Sequence, residues 1–255
     1  MVNGSLVARD AFGFALHYFG ERDYSPIRTG VKPFASAEAI NANFRPLFNE
    51  NIDAISQNND RAGEPLLFAY SYDVLNRITG MKAHRGLNTS INTWTSLPAL
   101  NDFKETIQYD PNGNILKYIR NGNTLIGNRP LAMDNLTYHY KAGTNNLDHI
   151  RDVVDPSNYA NDIDDQIAGN YAYDEIGNLI KDNKDSVSAI TWNVYGKISS
   201  INSKNGIITY TYDAAGNRIS KKINNIATWY ICDATGNVMS TYVKGNTLLN
   251  NGQLS

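Results

Sequence analysis

Apolar and polar residues alternate in short runs along most of this chain, and the runs repeat. Phe68, Tyr70 and Tyr72 are spaced by two, as are Ile208, Tyr210 and Tyr212. That period puts such residues on one face of a β-strand. Each run leads into Asp-x-x-Gly or a close variant. The clearest copies are Tyr70–Ile78, Tyr109–Ile115, Tyr171–Leu179 and Tyr210–Ile219. Thr191–Ile198 and Tyr230–Val238 are diverged copies. Tyr138-His139-Tyr140 opens another, whose turn has become Lys141–Asn146. A weaker copy is expected at Asp10–Phe14. Asp110-Pro111-Asn112-Gly113 has Asp first, Pro second and Gly fourth, the preferences of a type I turn. The Gly then takes a left-handed conformation and closes a hairpin through a bulge. Asn76 replaces that Gly in one copy, and Asn tolerates the same region. The following Ile, Leu or Val begins a return strand, so each repeat reads as one β-hairpin.

The links between repeats also read as turns. Asn205-Gly206 is a strong hairpin signal, and Asn121-Gly122, Asn224-Asn225 and Lys244-Gly245-Asn246 fall at comparable places. Hairpins joined end to end give an antiparallel meander. One hairpin cannot bury its own apolar face, so neighbouring repeats must pack together. Asn193, Asp213 and Asp233 are twenty residues apart, whereas Asp73 and Asp110 are further apart, which places insertions in the first half. Helix is expected only near Ser36–Asn43, with Ser36 as N-cap and Pro46 limiting its extent. Arg85–Leu100 reads as a loop or an irregular insertion, and Asn158–Asn170 as a loop. This divides the chain into an N-terminal region (1–65), a repeat sheet (66–243) and a C-terminal tail (244–255).

Tyr-x-Tyr-Asp-x-x-Gly-[Asn/Arg]-[Ile/Leu], repeated in this way, resembles the YD repeat of RHS-repeat proteins. The resemblance covers roughly residues 66–243. It implies a mainly β fold, a long curved meander of hairpins forming part of a spiral shell wall. In bacterial toxin members, and in related toxin-complex subunits, such a shell encloses a toxic polypeptide. In teneurins a similar shell supports cell-surface adhesion. Family members usually carry, after the repeats, a core segment that plugs the shell and can cleave itself. No such segment is recognised here, so the expectation is a segment of a longer shell or a truncated copy. The implied partners are the remainder of an RHS shell and an enclosed toxin polypeptide. The implied location is secreted or cell-surface, as part of a larger protein.

Composition narrows the function classes. Tyr (16) outnumbers Phe (8), and 19 Gly accompany many Asn residues, which suits a turn-rich β protein. With 23 Lys and Arg against 25 Asp and Glu, no basic excess favours nucleic acid. No apolar run reaches the length of a membrane-spanning helix, and the first residues carry no signal-peptide pattern. The single Cys232 excludes an internal disulfide.

Candidate chemistry is sparse. His17, His84, His139 and His149 show no metal-binding spacing. Asp162-Ile163-Asp164-Asp165 is acidic, but a calcium loop would need Gly where Ile167 stands and Glu where Tyr173 stands. Cys232 occupies the second Tyr position of its repeat and is expected on the packed face. Trp94, Trp192 and Trp229 could stack on sugars, although Trp192 falls where other repeats carry a packing Tyr. No nucleophile elbow or phosphate loop occurs. No catalytic residue, metal or cofactor is therefore expected. The residues that define the repeat are Tyr72, Asp73, Tyr109, Asp110, Gly113, Tyr173, Asp174, Gly177, Tyr212, Asp213, Gly216, Asp233 and Gly236, in a scaffold role. The rival readings are a surface-displayed module binding glycans or a protein, and a hydrolase built on loops 84–100 or 155–170. An open strip also leaves edge strands able to pair with other chains.

Overall fold

The computed structural model describes residues 12–18, 47–59, 63–88, 93–94, 99–124 and 127–244. Within them the protein is all β, with no helix. The first strands are β1 (Phe12–His17), β2 (Ala54–Asn59), β3 (Leu66–Tyr72) and β4 (Ile78–His84). Two short strands follow, β5 (Leu87–Asn88) and β6 (Thr93–Trp94), and then β7 (Glu105–Tyr109), β8 (Ile115–Asn121), β9 (Ala132–Tyr140) and β10 (Leu147–Asp152). The second half holds β11 (Tyr171–Tyr173), β12 (Leu179–Asp182), β13 (Val187–Trp192) and β14 (Ile198–Ser203). It ends with β15 (Gly206–Tyr212), β16 (Arg218–Ile223), β17 (Ile226–Cys232) and β18 (Val238–Lys244).

One eight-stranded sheet runs β1-β2-β3-β4-β7-β8-β9-β10 and another runs β11 to β18 in sequence; β5 pairs with β6 separately. Strand follows strand as antiparallel neighbour, so the meander expected from the hairpin pattern is the fold. Several local expectations change. Gly13 lies mid-strand opposite Asn58, so Asp10–Phe14 does not make a turn at that glycine. Gly122 leads into the ten-residue connection 122–131, not a tight turn, and its amide donates to the Leu131 carbonyl at 2.9 Å. Arg85–Leu100, read as a loop or an irregular insertion, contains the short β5–β6 pair. At Asn205-Gly206 the hairpin does form, with Ser203 opposite Gly206, and the glycine alone is left-handed, at φ 115°. The helix expected near Ser36–Asn43, and Gly245-Asn246, lie outside the described residues.

The chain divides into two compact units, 1–137 with 151–165, and 138–150 with 166–255. The first has a buried core. Ala54, Leu67, Ala83 and Leu136 are fully buried, and Trp94 nearly so. Polar groups are buried with them. His17 Nε2 meets the Ser56 hydroxyl at 2.7 Å, and the Asp134 carboxylate pairs with Arg120 Nε at 2.6 Å. The insertion 153–165 closes over this unit. The Tyr159 hydroxyl donates to the Pro130 carbonyl at 2.8 Å, and its ring occupies the space a Cβ on Gly122 would need. Gly122 is thus fixed by close approach.

The second unit is built differently. Among its described strands β11–β18 no hydrophobic side chain is fully buried. On β15, Ile208, Tyr210 and Tyr212 share a half-buried face, while Ile207 and Thr211 on the other face are exposed. Two buried amides anchor the start of this sheet. Gln166 donates to the Tyr171 hydroxyl at 2.9 Å and accepts from the Ile150 amide at 2.9 Å. Asn170 donates to Asp182 Oδ1 at 2.9 Å and accepts from the Lys184 amide at 2.7 Å.

Candidate functional site

The turn of each repeat has a common geometry. In Asp110–Asn114, the Gly113 amide donates to the Asp110 carbonyl at 3.1 Å, and the Asp110 amide to the Asn114 carbonyl at 2.9 Å. Gly113 has φ 92°. The same two bonds recur at Asp174–Asn178, Asp213–Asn217 and Asp233–Asn237, with Gly177, Gly216 and Gly236 all left-handed. At Asp73 the left-handed residue is Asn76, at φ 61°. The ladder slips by one residue just before each Asp, at Tyr72, Tyr109, Tyr173 and Tyr212, which is the bulge the turn imposes. In the Lys141 copy, Gly143 takes positive φ one place earlier, and the Thr144 amide donates to the Lys141 carbonyl at 3.0 Å. That is the glycine position of a type II turn.

The Asp side chain clamps the turn. Asp110 Oδ1 accepts the Asn114 amide at 2.8 Å, and Oδ2 accepts the Asn114 side chain at 2.8 Å. Asn178, Asn217 and Asn237 do the same for Asp174, Asp213 and Asp233. Arg77 serves Asp73, its Nε reaching Oδ2 at 2.6 Å. The residue four places after Asp was visible in the repeat as [Asn/Arg], but sequence reasoning gave it no role. These bonds favour the carboxylate form. The Asn114 side chain holds the Asp110 carboxyl below its usual range; the Asn217 amide does so for Asp213, and Thr235 with Asn237 for Asp233. At Asp73 and Asp174 desolvation is the largest single influence and acts the other way, but the bonds from Arg77 and Asn178 together outweigh it and hold these carboxyls below their usual range.

The aromatic residue before Asp has a second function, joining one hairpin to the previous one. Tyr109 donates its hydroxyl to the Ile78 carbonyl at 2.8 Å, and Tyr212 to the Ile198 carbonyl at 2.8 Å. Trp192 does the same with its indole N–H, to the Leu179 carbonyl at 2.8 Å. Ile78, Leu179 and Ile198 each open the return strand of the preceding hairpin. Tyr173 meets the backbone of Leu147, which opens β10, and Tyr72 donates to the Ile52 carbonyl at 2.6 Å. A cation from the preceding turn covers the ring face. Arg77 lies 4.6 Å from the Tyr109 centroid, Lys141 5.3 Å from Tyr173 and Lys197 5.7 Å from Tyr212. Burial raises the phenol pKa of Tyr72, Tyr109 and Tyr173, and it keeps the Tyr72 and Tyr109 hydroxyls as donors.

The thirteen repeat residues therefore lie in a series of equivalent turns and joints, not in one cleft. Chemistry-bearing residues elsewhere are dispersed. His139 and His149 stack at 4.5 Å, and His149 Nδ1 meets Asp148 Oδ2 at 2.8 Å. Asp165 pairs with Arg151 at 2.7 Å, and burial raises the Asp162 carboxyl, with Asp134, Asp164 and Asp152 adding to it. Among the described residues no group of His, Cys, Asp and Glu has a metal-holding arrangement. Cys232 is a free, half-buried thiol. No described helix is long and apolar enough to cross a membrane.

No family model matches the chain, and no curated protein matches it. Among solved structures it is similar to the crystal structure of TcdB2-TccC3, with 11% identity, a TM-score of 0.35, and coverage of 76% of this chain and 10% of that one. It is also similar to the crystal structure of TcdB2-TccC3-TEV, with 12% identity, a TM-score of 0.28, and coverage of 77% and 12%. The chain spans about a tenth of the length of these proteins.

Proposed function

We propose that this chain is a wall segment of an RHS/YD-type shell that encloses or presents a polypeptide, with no catalysis of its own. The observation that carries the reading is the joint. Ring, carbonyl and cation link successive hairpins, so a strip of any length can be made by adding repeats. Such a strip resists opening without a deep core, as a thin wall must. The face of β15–β18 that carries Ile207, Trp229, Ile231 and Tyr242 is exposed, and these apolar side chains suit a covering surface. The remainder of a shell, or the enclosed polypeptide, would supply that cover. On this reading the protein works outside the cell or at its surface.

Protease treatment of the complete gene product tests the proposal. A stretch of polypeptide held by the wall should survive in the intact protein and be digested when Gly177→Val and Gly216→Val loosen the wall. Equal digestion in both would contradict enclosure. A second reading, a binding module for glycans or a protein partner, draws on the same apolar face. Specific hits on a glycan array, lost in Trp229→Ala, would favour it over the shell.

A further inference from the structure

One joint lacks its ring. Cys232 stands where Tyr109, Tyr173, Trp192 and Tyr212 stand in the other repeats, immediately before the turn Asp. Its neighbours are otherwise prepared. Arg218 opens the return strand of the preceding hairpin, and its carbonyl is the counterpart of the Ile198 carbonyl that accepts from Tyr212. The Arg218 guanidinium lies 4.9 Å from the Tyr230 centroid and 5.6 Å from that of Tyr210. A recess of about 310 Å³ opens here, with Lys197, Tyr212, Arg218, Tyr230, Cys232 and Val238 among its walls. A thiol is much smaller than a phenol, so the recess is the space left by the absent ring. The recess is open and lined mainly by polar groups, so a ring that enters it needs a polar end as well as an apolar face.

We propose that this recess receives a tyrosine side chain from a second polypeptide, which completes the joint that the chain leaves open. The inserted ring lies between Tyr212 and Tyr230, next to the Arg218 cation, and its hydroxyl reaches the Arg218 carbonyl. The inference rests on the geometry of the second unit and stands apart from the shell reading. A phenol is favoured over a purely hydrocarbon ring because Tyr109, Trp192 and Tyr212 each end in a donor, and Arg77 and Lys197 face the rings of Tyr109 and Tyr212.

The full chain can be tested with p-cresol, which is the tyrosine side chain as a free molecule. It should raise the melting temperature of the wild type in a concentration-dependent way and leave Cys232→Tyr unmoved. Cys232 is the only thiol, so its rate of maleimide labelling is a second readout that needs no variant. Labelling should slow at least several-fold with p-cresol, and with a short peptide containing one tyrosine, but much less with toluene. No thermal shift together with no protection would overturn the proposal, as would an equal shift in Cys232→Tyr. Equal protection by toluene would remove the phenol assignment. Protection by p-cresol but not by the peptide would remove the polypeptide.

Discussion

The two units of this protein solve the same problem, stabilising a meander of hairpins, by different means. The first buries Leu67, Leu136, Trp94 and Tyr159, and polar groups such as Asp134 and Ser56 are buried with them. The second has no fully buried hydrophobic side chain in strands β11–β18 and depends on clamps and joints repeated from hairpin to hairpin. Burial is a long-range device, since Tyr159 reaches Gly122 across an insertion. The clamp and the joint are short-range and periodic. A repeat can therefore be added to or removed from the second arrangement with less disturbance than from the first.

The largest expected effect is in the first unit. Leu136→Ala should cost about 3 kcal/mol, transfer plus cavity. Ile201→Ala, on a half-buried strand of the second unit, should cost about 1 kcal/mol because less area is lost. Denaturant titration of both variants would measure the contrast, and equal losses would break the comparison. Gly216→Val comes next, at about 1–3 kcal/mol, from strain at φ 84°. Gly216→Asn should be milder, because Asn76 occupies the same turn position. A midpoint unchanged by the valine would remove the turn from the account.

The joint itself is sharpened by Tyr212→Phe, which keeps the ring and deletes the bond to Ile198. A loss of about 1 kcal/mol is expected. Tyr195→Phe, on an exposed turn side chain, serves as the control and should change nothing measurable. The smallest effect concerns acid. The carboxyls of Asp110, Asp213 and Asp233 are held below their unfolded values. Their contribution is complete above the unfolded carboxylate range, near pH 4, and fades as pH falls through the folded values. Replacing Asn217 and Asn237 by Leu should reduce the stability lost between about pH 4 and pH 2, read by thermal melts across that range. An identical pH profile would show that the clamps do not bias these carboxyls.

What was legible in the sequence follows the same division. The turn at Asp110–Gly113 is written in four adjacent residues, and the strand face of Tyr210 and Tyr212 in a period of two. Both are local, so the hairpin fold could be read directly. The clamp partners Asn114, Asn178, Asn217 and Asn237 were present in the repeat, yet their role needs the Asp Oδ2 geometry to be seen. The ring-to-carbonyl joint was also hidden, because Tyr109 and Ile78 are separated by an insertion. In the regular half, spacing alone could have suggested it. Asn121-Gly122 misled because its glycine is required by the Tyr159 ring, 37 residues later, and not by backbone conformation. Gly13 misled for a different reason, being an ordinary strand residue opposite Asn58.

Electron cryo-microscopy of the complete gene product tests the central claim most directly. The account predicts that the β11–β18 sheet continues, hairpin by hairpin, into a curved wall with polypeptide density against one face. A sheet ending free in solvent, with no further repeats and nothing against either face, would contradict it.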